Sequence, residues 1–401
     1  MTSVRPSGPI SSSPSVEHRP DPSRGIFLCG EITAELVYRL APRIAELLHA
    51  SREPVTLYID SPGGSTFLVS QLLNLVRAPS QDTSRPCKLI TVTNANAQSA
   101  GAILLSAGDY AVAGPDSFIH FHGVRVYRGD AITVEKASDT AKDLRESNDR
   151  SAMILARNCS QRFFFRVISL RNEFDGYRTA NPQAVDEKDC FLGLIMPRLS
   201  PLGAAVVKKA EVRVKRYASL SRSVLSSSGV KKQLAKFPGG IGEYSELEAE
   251  MLKAIIRFEL KGNSKKGEWT FSGRGLAQVT DDFLLLNEYI GHHQNDWIEE
   301  FCERWKDFVL APGEKDDIEK LPSGQRKAAR VAKLRPRLLP FWLFLGAICR
   351  VLHEAESPLT ATDAFWLGLI DEVIGLDLPT LRKVAEKGAA AREAKKALPQ
   401  V

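Results

Sequence analysis

Residues 96–108 read NAQSAGAILLSAG, and the fold can be worked out from this stretch outward. Ser99 lies among small residues and is followed by an apolar run that predicts a helix. Small neighbours let the backbone turn sharply and let another group approach closely. The first N–H groups of a helix that starts there point toward whatever binds at the turn. Ser99 is therefore either the N-cap of this helix, a position that favours serine, or a reactive residue at its mouth.

The segments around this stretch alternate between strand and helix patterns. A helical pattern begins after Thr33, a good N-cap residue, and contains Pro42, which predicts a kink or a break. A second helical pattern runs through Leu68, Leu72 and Val76 after the turn at residues 61–64. Short β-type runs are predicted at residues 26–29, 55–60, 88–93 and 110–113. This alternation predicts an α/β fold with a parallel sheet and crossover connections.

Length and composition define the general class of the chain. Its 401 residues leave room for two or three domains, and 43% hydrophobic with 25% charged residues is typical of globular proteins. The longest apolar run, residues 341–349, is much shorter than the ~20 residues needed to span a bilayer. The six cysteines include no Cys-x-x-Cys pair, which is typical of reduced thiols. We therefore expect a cytoplasmic protein without membrane contact.

Two motifs bracket Ser99 in the sequence. Upstream, Ser61-Pro62-Gly63-Gly64 ends a predicted strand, and such a turn either exposes an N–H to a developing oxyanion or is a plain strand-to-helix turn. Downstream, His120 and His122 lie two residues apart in an apolar run, so they share one face of a strand. A histidine there is either structural or able to take a proton from a serine and return it to a leaving amine.

Together these motifs resemble the proteolytic-subunit family of the Clp proteases. The resemblance implies a crotonase-like fold of repeated ββα units, a long handle helix, which we expect over residues 131–158, and a ring-shaped homo-oligomer. In that family the catalytic histidine follows seven residues after a proline, and Pro115 therefore selects His122 over His120. The matching pieces are residues 26–32, 57–65, 98–108, 115–122 and 359–374.

The resemblance also implies a role for each matching residue. Ser99 corresponds to the nucleophile and His122 to the general base and acid, and the N–H groups of Gly64 and Ala100 correspond to the oxyanion hole. No metal or organic cofactor is needed for this chemistry. The family's third triad member is an aspartate three residues before the closing segment, and Glu356 stands at that position here. A glutamate can orient a histidine as an aspartate does, although Glu356 could also be an exposed loop carboxylate. Asp189 is the second-ranked alternative.

A long block without a counterpart in the family separates the handle helix from the closing segment. The predicted organisation is a disordered N-terminal segment (1–25), the first part of the Clp-like core (26–194), an inserted, mostly helical basic region (195–345), the closing segment of the core (346–376), and a helical or disordered tail (377–401). Long insertions in surface loops are thermodynamically tolerable. The basic run at residues 208–236 is expected to be a solvated surface rather than a nucleic-acid site.

The expected function follows from these assignments. We expect a serine endopeptidase, the proteolytic subunit of an ATP-dependent protease, that hydrolyses peptides or unfolded proteins. The chain has no phosphate-binding Gly-x-x-x-x-Gly-Lys motif, so ATP dependence would come from a separate unfoldase. Three alternatives stay open: a catalytically impaired Clp-like scaffold subunit, a viral capsid-maturation protease of the same fold, and a crotonase-type acyl-CoA enzyme.

Overall fold

The computed structural model describes residues 19–78, 86–125, 133–183, 187–226, 312–356 and 358–376. The predicted N-terminal segment up to residue 18, most of the predicted insertion and the predicted tail lie outside these ranges. By compactness the chain divides into two units. The first comprises the residues up to Thr133, Asn158–Val206 and the residues from Leu352, and the second comprises Val134–Arg157 and Val207–Val351.

The helices and strands follow one another in the alternating order that the sequence predicts. Up to residue 125 they are β1 (Gly25–Cys29), α1 (Ala34–Ala50), β2 (Val55–Asp60), α2 (Thr66–Val76), β3 (Leu89–Thr93), β4 (Asn96–Gln98), α3 (Ala100–Ser106), β5 (Tyr110–Ala113) and β6 (Phe118–His120). Beyond it they are α4 (Val134–Ser169), α5 (Arg171–Ala180), α6 (Glu187–Ile195), α7 (Pro201–Ser226), α8 (Pro312–Glu319), α9 (Ser323–Ala355), β7 (Pro358–Leu359), α10 (Ala361–Trp366) and β8 (Glu372–Val373).

The core of the first unit is a five-stranded sheet in the order β1-β2-β3-β5-β8, with every neighbouring pair parallel. β3 is buried along its whole length, as expected for a strand covered on both faces. Tyr110 Oη on β5 donates to Glu372 of β8 at 2.9 Å, and burial first of all raises the pKa of this phenol, so it stays a donor. The predicted α/β fold with a parallel sheet is confirmed.

Helix α1 begins after its predicted N-cap, since Thr33 Oγ1 accepts the N–H of Leu36 at 3.3 Å. The helix runs on through Pro42, so the predicted break does not occur. Leu40 and Ile44, on either side of Pro42, belong to its buried stripe, and that packing outweighs the one backbone hydrogen bond that proline removes. The folded part also begins before residue 26, because residues 22–24 form a 3-10 turn capped by Asp21.

A second sheet of three short strands holds the residues around Ser99. Its order is β4-β6-β7, with β6 parallel to β4 and antiparallel to β7. Helix α3 begins two residues after β4 ends. The sequence did not predict β4, because a strand of three residues is too short for an alternating pattern to be recognised.

The predicted handle helix is longer than expected and is shifted along the chain. Helix α4 begins at Val134 rather than residue 131 and ends at Ser169 rather than residue 158. Cys159, Phe163 and Val167 extend its buried stripe at four-residue spacing. The helical pattern is hard to recognise in the sequence at residues 163–165, where three phenylalanines follow one another. Aromatic residues are also weaker helix formers than straight-chain ones, so the sequence did not predict this half of the helix.

In the second unit, the residues that the structure describes are helical except for the connection at residues 320–322. Phe341, Phe344 and Ile348 form a buried stripe on α9 at helical spacing. The predicted segment boundary at residue 345 lies inside α9, whereas the boundary between the two compact units falls after Val351. Across the described ranges, no helix combines the length and the apolar character needed to cross a membrane.

Candidate active site

Ser99 occupies a sharp strand-to-helix turn between β4 and α3. Its backbone has φ 53° and ψ −122°, and its side chain makes no N-cap hydrogen bond with the helix. The interpretation of Ser99 as an ordinary N-cap is therefore wrong, because a capping serine has extended φ and ψ and accepts from the helix N–H groups. Among the described non-glycine residues, Ser99 and Glu356 alone have positive φ. Such strain persists only where the surrounding structure enforces it.

The backbone of Ser99 is held on both sides. Its N–H donates to His120 O on β6 at 2.7 Å. Its carbonyl accepts from the N–H groups of Ala102 and Ile103 at 3.1 and 3.2 Å in the first turn of α3. These three bonds fix the backbone, so the hydroxyl of a half-buried serine remains available for other contacts.

The Gly63-Gly64 turn packs directly against this serine. Both glycines have positive φ, 112° for Gly63 and 139° for Gly64. A Cβ on Gly63 would lie 2.5 Å from the Ser99 Cβ and 3.1 Å from its Oγ. A Cβ on Gly64 would lie 2.5 Å from the carbonyl oxygen of Ile32. Only glycine can adopt the positive φ at these two positions and also fit against the neighbouring atoms.

Ser61 organises the glycine turn, and sequence reasoning missed it. The residue is fully buried, and its Oγ donates to Gly30 O at 2.7 Å and accepts from Gly63 N–H at 3.1 Å. Its backbone donates to Asn96 O at 2.9 Å and accepts from Gln98 N–H at 3.0 Å, which ties the turn to β4. The available signal was a serine at the end of a buried strand, directly before Pro-Gly-Gly.

The two predicted oxyanion donors have their N–H groups available. The N–H of Ile32 donates to Gly63 O and that of Ser65 donates to Ile32 O, so the bonds beside Gly64 do not use the Gly64 N–H. Ala100 is the first residue of α3, where the N–H has no partner within the helix. No described residue accepts from either N–H group. Both can therefore donate to an anionic oxygen.

His122 lies two residues beyond the end of β6. Its Nδ1 is 2.7 Å from Gly123 O, and because a carbonyl oxygen only accepts, Nδ1 carries the proton. In the neutral imidazole, Nε2 is then the nitrogen with a free lone pair, and it is the atom that can act as a base. The rings of His120 and His122 are 5.7 Å apart between centroids. The described contacts contain no hydrogen bond between Ser99 Oγ and His122, and catalytic hydrogen bonds often tighten only when substrate binds.

The two predicted acids lie in different surroundings. β7 pairs with β6 through Ile119 with Leu359 and His120 with Pro358, and this register continued by two residues would bring Glu356 opposite His122. In the structure, however, the Glu356 carboxylate contacts the Arg125 guanidinium at 3.2 Å, with both side chains about half exposed.

Asp189, the alternative acid, lies in α6, and its carboxylate contacts Lys188 Nζ at 2.9 Å.

A mixed α/β fold with a parallel sheet and a serine at a strand-to-helix turn is typical of Clp-type peptidases. The sequence model of the family described as Clp protease matches residues 15–170. This part of the chain is therefore similar to the Clp protease family, the family that the sequence motifs resemble. The match includes Gly64, Ser99 and His122 and ends at residue 170, between α4 and α5, so Glu356 lies beyond it. No curated protein matches the chain.

The match over this part of the chain supports a Clp-type peptidase in general, and proteins of that family act on peptides and typically assemble into oligomers. Among the described residues, no group of three or more His, Cys, Asp and Glu side chains is arranged to hold a metal ion.

Proposed function

We propose that the protein is a serine endopeptidase of the Clp type with Ser99 as its nucleophile. The observation that carries this proposal is the backbone of Ser99, which has positive φ and does not cap α3. A strained turn between a strand and a helix presents a nucleophile hydroxyl at the surface of the sheet, as in other serine hydrolases.

In the proposed mechanism, His122 Nε2 takes the proton of Ser99 Oγ as the oxygen attacks the peptide carbonyl. The carbonyl oxygen becomes negative in the tetrahedral intermediate and accepts from the N–H groups of Gly64 and Ala100. The intermediate then collapses, the C–N bond breaks, and His122 gives its proton to the leaving amine. Water, deprotonated by His122, releases the acyl group and restores Ser99. These steps require no cofactor.

We propose Glu356 as the third triad member in the active conformation. The strand register favours this residue, and its positive φ of 47° marks it as conformationally constrained. To reach His122 Nδ1, the carboxylate must exchange Arg125 for the imidazole, and the imidazole must exchange Gly123 O for the carboxylate. Until this exchange, the backbone carbonyl of Gly123 holds the ring in the tautomer that a base requires.

The proposed biological setting extends the family assignment. The substrates are peptides or unfolded proteins, the subunits form a ring, and a separate ATP-driven unfoldase supplies folded substrates. We place this activity in the cytoplasm.

Hydrolysis of a fluorogenic peptide library tests the proposal. The wild-type protein should release fluorophore, and Ser99→Ala and His122→Ala should reduce the rate by about 10³-fold or more, the loss typical of a removed nucleophile or base. Ser70→Ala removes an exposed hydroxyl on α2 and should not change the rate. A rate that survives Ser99→Ala would refute the assignment of the nucleophile.

A second candidate function is that of a catalytically impaired scaffold subunit. It is favoured by the Arg125–Glu356 contact, which keeps the predicted acid from His122 Nδ1. The same assay separates the two functions, because the scaffold should show no hydrolysis that depends on Ser99 even when it is fully assembled.

A further inference from the structure

Arg162 of α4 lies in the interior of the first unit, where a charged side chain is rare. The residue is 7% exposed, and its guanidinium makes contacts in three directions. Nε donates to Asp371 Oδ2 at 2.6 Å, Nη1 donates to Ser106 O at 2.9 Å, and Nη2 donates to Gly108 O. The planar fork of an arginine is the side chain that can serve such a set of acceptors at once.

Two of these acceptors lie at the C-terminal end of helix α3. Ser106 is the last residue of this helix, and Gly108 follows it closely. The last carbonyls of a helix have no partners within the helix, and a cation there also interacts favourably with the helix dipole. Arg162 therefore caps α3 from another part of the chain.

The opposite end of α3 carries the proposed nucleophile and one oxyanion donor. The helix has seven residues and is therefore only about 10 Å long. Its first turn is bonded to the Ser99 carbonyl through Ala102 and Ile103. A shift at the capped end therefore moves Ser99 and Ala100 as well, because a short helix moves as a rigid body.

The counter-ion of Arg162 is itself fixed. Asp371 Oδ2 also accepts the N–H of Ala111 on β5 at 2.7 Å. Cys159, one turn before Arg162, is no alternative counter-ion, because burial raises the pKa of its thiol to about 11 and keeps it neutral. The Arg162–Asp371 pair thus links the central sheet to the end of α3.

We infer that Arg162 is a positioning residue for the active site: through α3 it holds the Ser99 turn and the Ala100 N–H in the geometry that acyl transfer requires. This inference rests on the proposed function. The reason is geometric, since acyl transfer depends steeply on the placement of the nucleophile and a shift of 1 Å can lower a rate by about 10²-fold.

The test compares Arg162→Lys with Arg198→Lys. Lysine keeps the positive charge but cannot donate to all the acceptors of Arg162. Arg198 forms an ion pair of the same length, 2.6 Å with Glu173, and also donates to a helix carbonyl, so Arg198→Lys controls for the loss of a partly buried arginine fork away from α3. Three quantities are measured on each protein: the rate of covalent labelling by a fluorophosphonate, the exchange of the Ala102 and Ile103 amide hydrogens, and the thermal midpoint.

We expect Arg162→Lys to slow labelling by about 10-fold or more and to accelerate exchange of the two amides, whereas Arg198→Lys should lower only the thermal midpoint. Asp371→Asn keeps an acceptor and should give a smaller effect in the same direction; it serves as the test if Arg162→Lys does not fold. Labelling and exchange at the wild-type rates in a folded variant would overturn the inference. If the wild-type protein is not labelled, the proposed function fails, and amide exchange alone decides whether Arg162 holds the turn.

Discussion

Ser99 and Glu356, the two described non-glycine residues with positive φ, are also two of the residues to which we assign catalytic roles. A residue held in such a conformation costs the fold about 1–3 kcal/mol. For Ser99, the bonds to His120, Ala102 and Ile103 offset this cost. The hydrogen bonds around Ser99 therefore maintain its strained backbone conformation. This conformation sets the direction in which the Ser99 hydroxyl points.

Gly63 offers the sharpest substitution at the residue scale. Gly63→Ala would place a Cβ 2.5 Å from the Ser99 Cβ and 2.9 Å from Gln98 O, so the serine turn must move. We expect a loss of peptidase activity of about 10²-fold and a lower free energy of unfolding, measured by hydrolysis rate and urea titration.

Gly30→Ala is the matched control, since Gly30 has φ 95° but a Cβ there would meet no described atom within 4 Å beyond its chain neighbours. It should cost about 1–2 kcal/mol and leave the rate of the folded protein unchanged.

A pair of substitutions tests the third triad member. If Glu356 orients His122, Glu356→Gln should lower kcat by at least about 10-fold, and Arg125→Met should raise it, because the carboxylate is then released toward the imidazole. Steady-state kinetics on the same peptide give both values. Asp189→Asn is the control for the alternative acid and should leave kcat unchanged. Unchanged kcat in Glu356→Gln would instead assign the orienting role to the Gly123 carbonyl.

At the scale of elements, Asp363 joins the starts of two helices. It is fully buried in α10, and it accepts from the backbone N–H and the Oγ of Ser200, directly before α7. It also forms a capping box with Thr360 at the start of α10. The side chain thus connects the closing segment of the core to the helix that leads out of it.

Removal of this connection should destabilise the core. Asp363→Ala leaves the Ser200 donors without their acceptor, and we expect a loss of about 2–4 kcal/mol in the free energy of unfolding, measured by urea titration. Thr360→Ser keeps a capping hydroxyl and should change this free energy by less than about 0.5 kcal/mol. Equal stabilities of Asp363→Ala and the wild type would contradict the proposed connection.

Elements with a strong periodic pattern could be predicted from the sequence, and short or long-range features could not. The buried stripe of α1 and the apolar runs of β1, β2, β3 and β5 identify these elements. β4 is too short to leave a pattern, and three phenylalanines conceal the second half of α4. The serine and glycine motifs single out Ser99 and Gly64 as candidate site residues, and their catalytic roles stay predictions. The contact between Arg125 and Glu356 joins residues far apart in the chain, and local patterns carry no information about it.

At the scale of the whole molecule, the similarity of residues 15–170 to the Clp protease family leads us to expect an oligomeric assembly. We predict that sedimentation velocity and native mass spectrometry give a single species whose mass is a multiple of 44.2 kDa, with a subunit number consistent with a ring. A species that stays at the mass of one chain at micromolar concentration would contradict the expected ring.

The central claim is that Ser99 is an activated nucleophile, and covalent labelling by a fluorophosphonate tests it most directly. The assembled wild-type protein is treated with the probe, digested, and analysed by mass spectrometry to locate the adduct. We predict one adduct, on the peptide that contains Ser99, which is absent in Ser99→Ala and strongly reduced in His122→Ala. A fully assembled wild-type protein that carries no adduct, or carries it on another serine, would contradict the account.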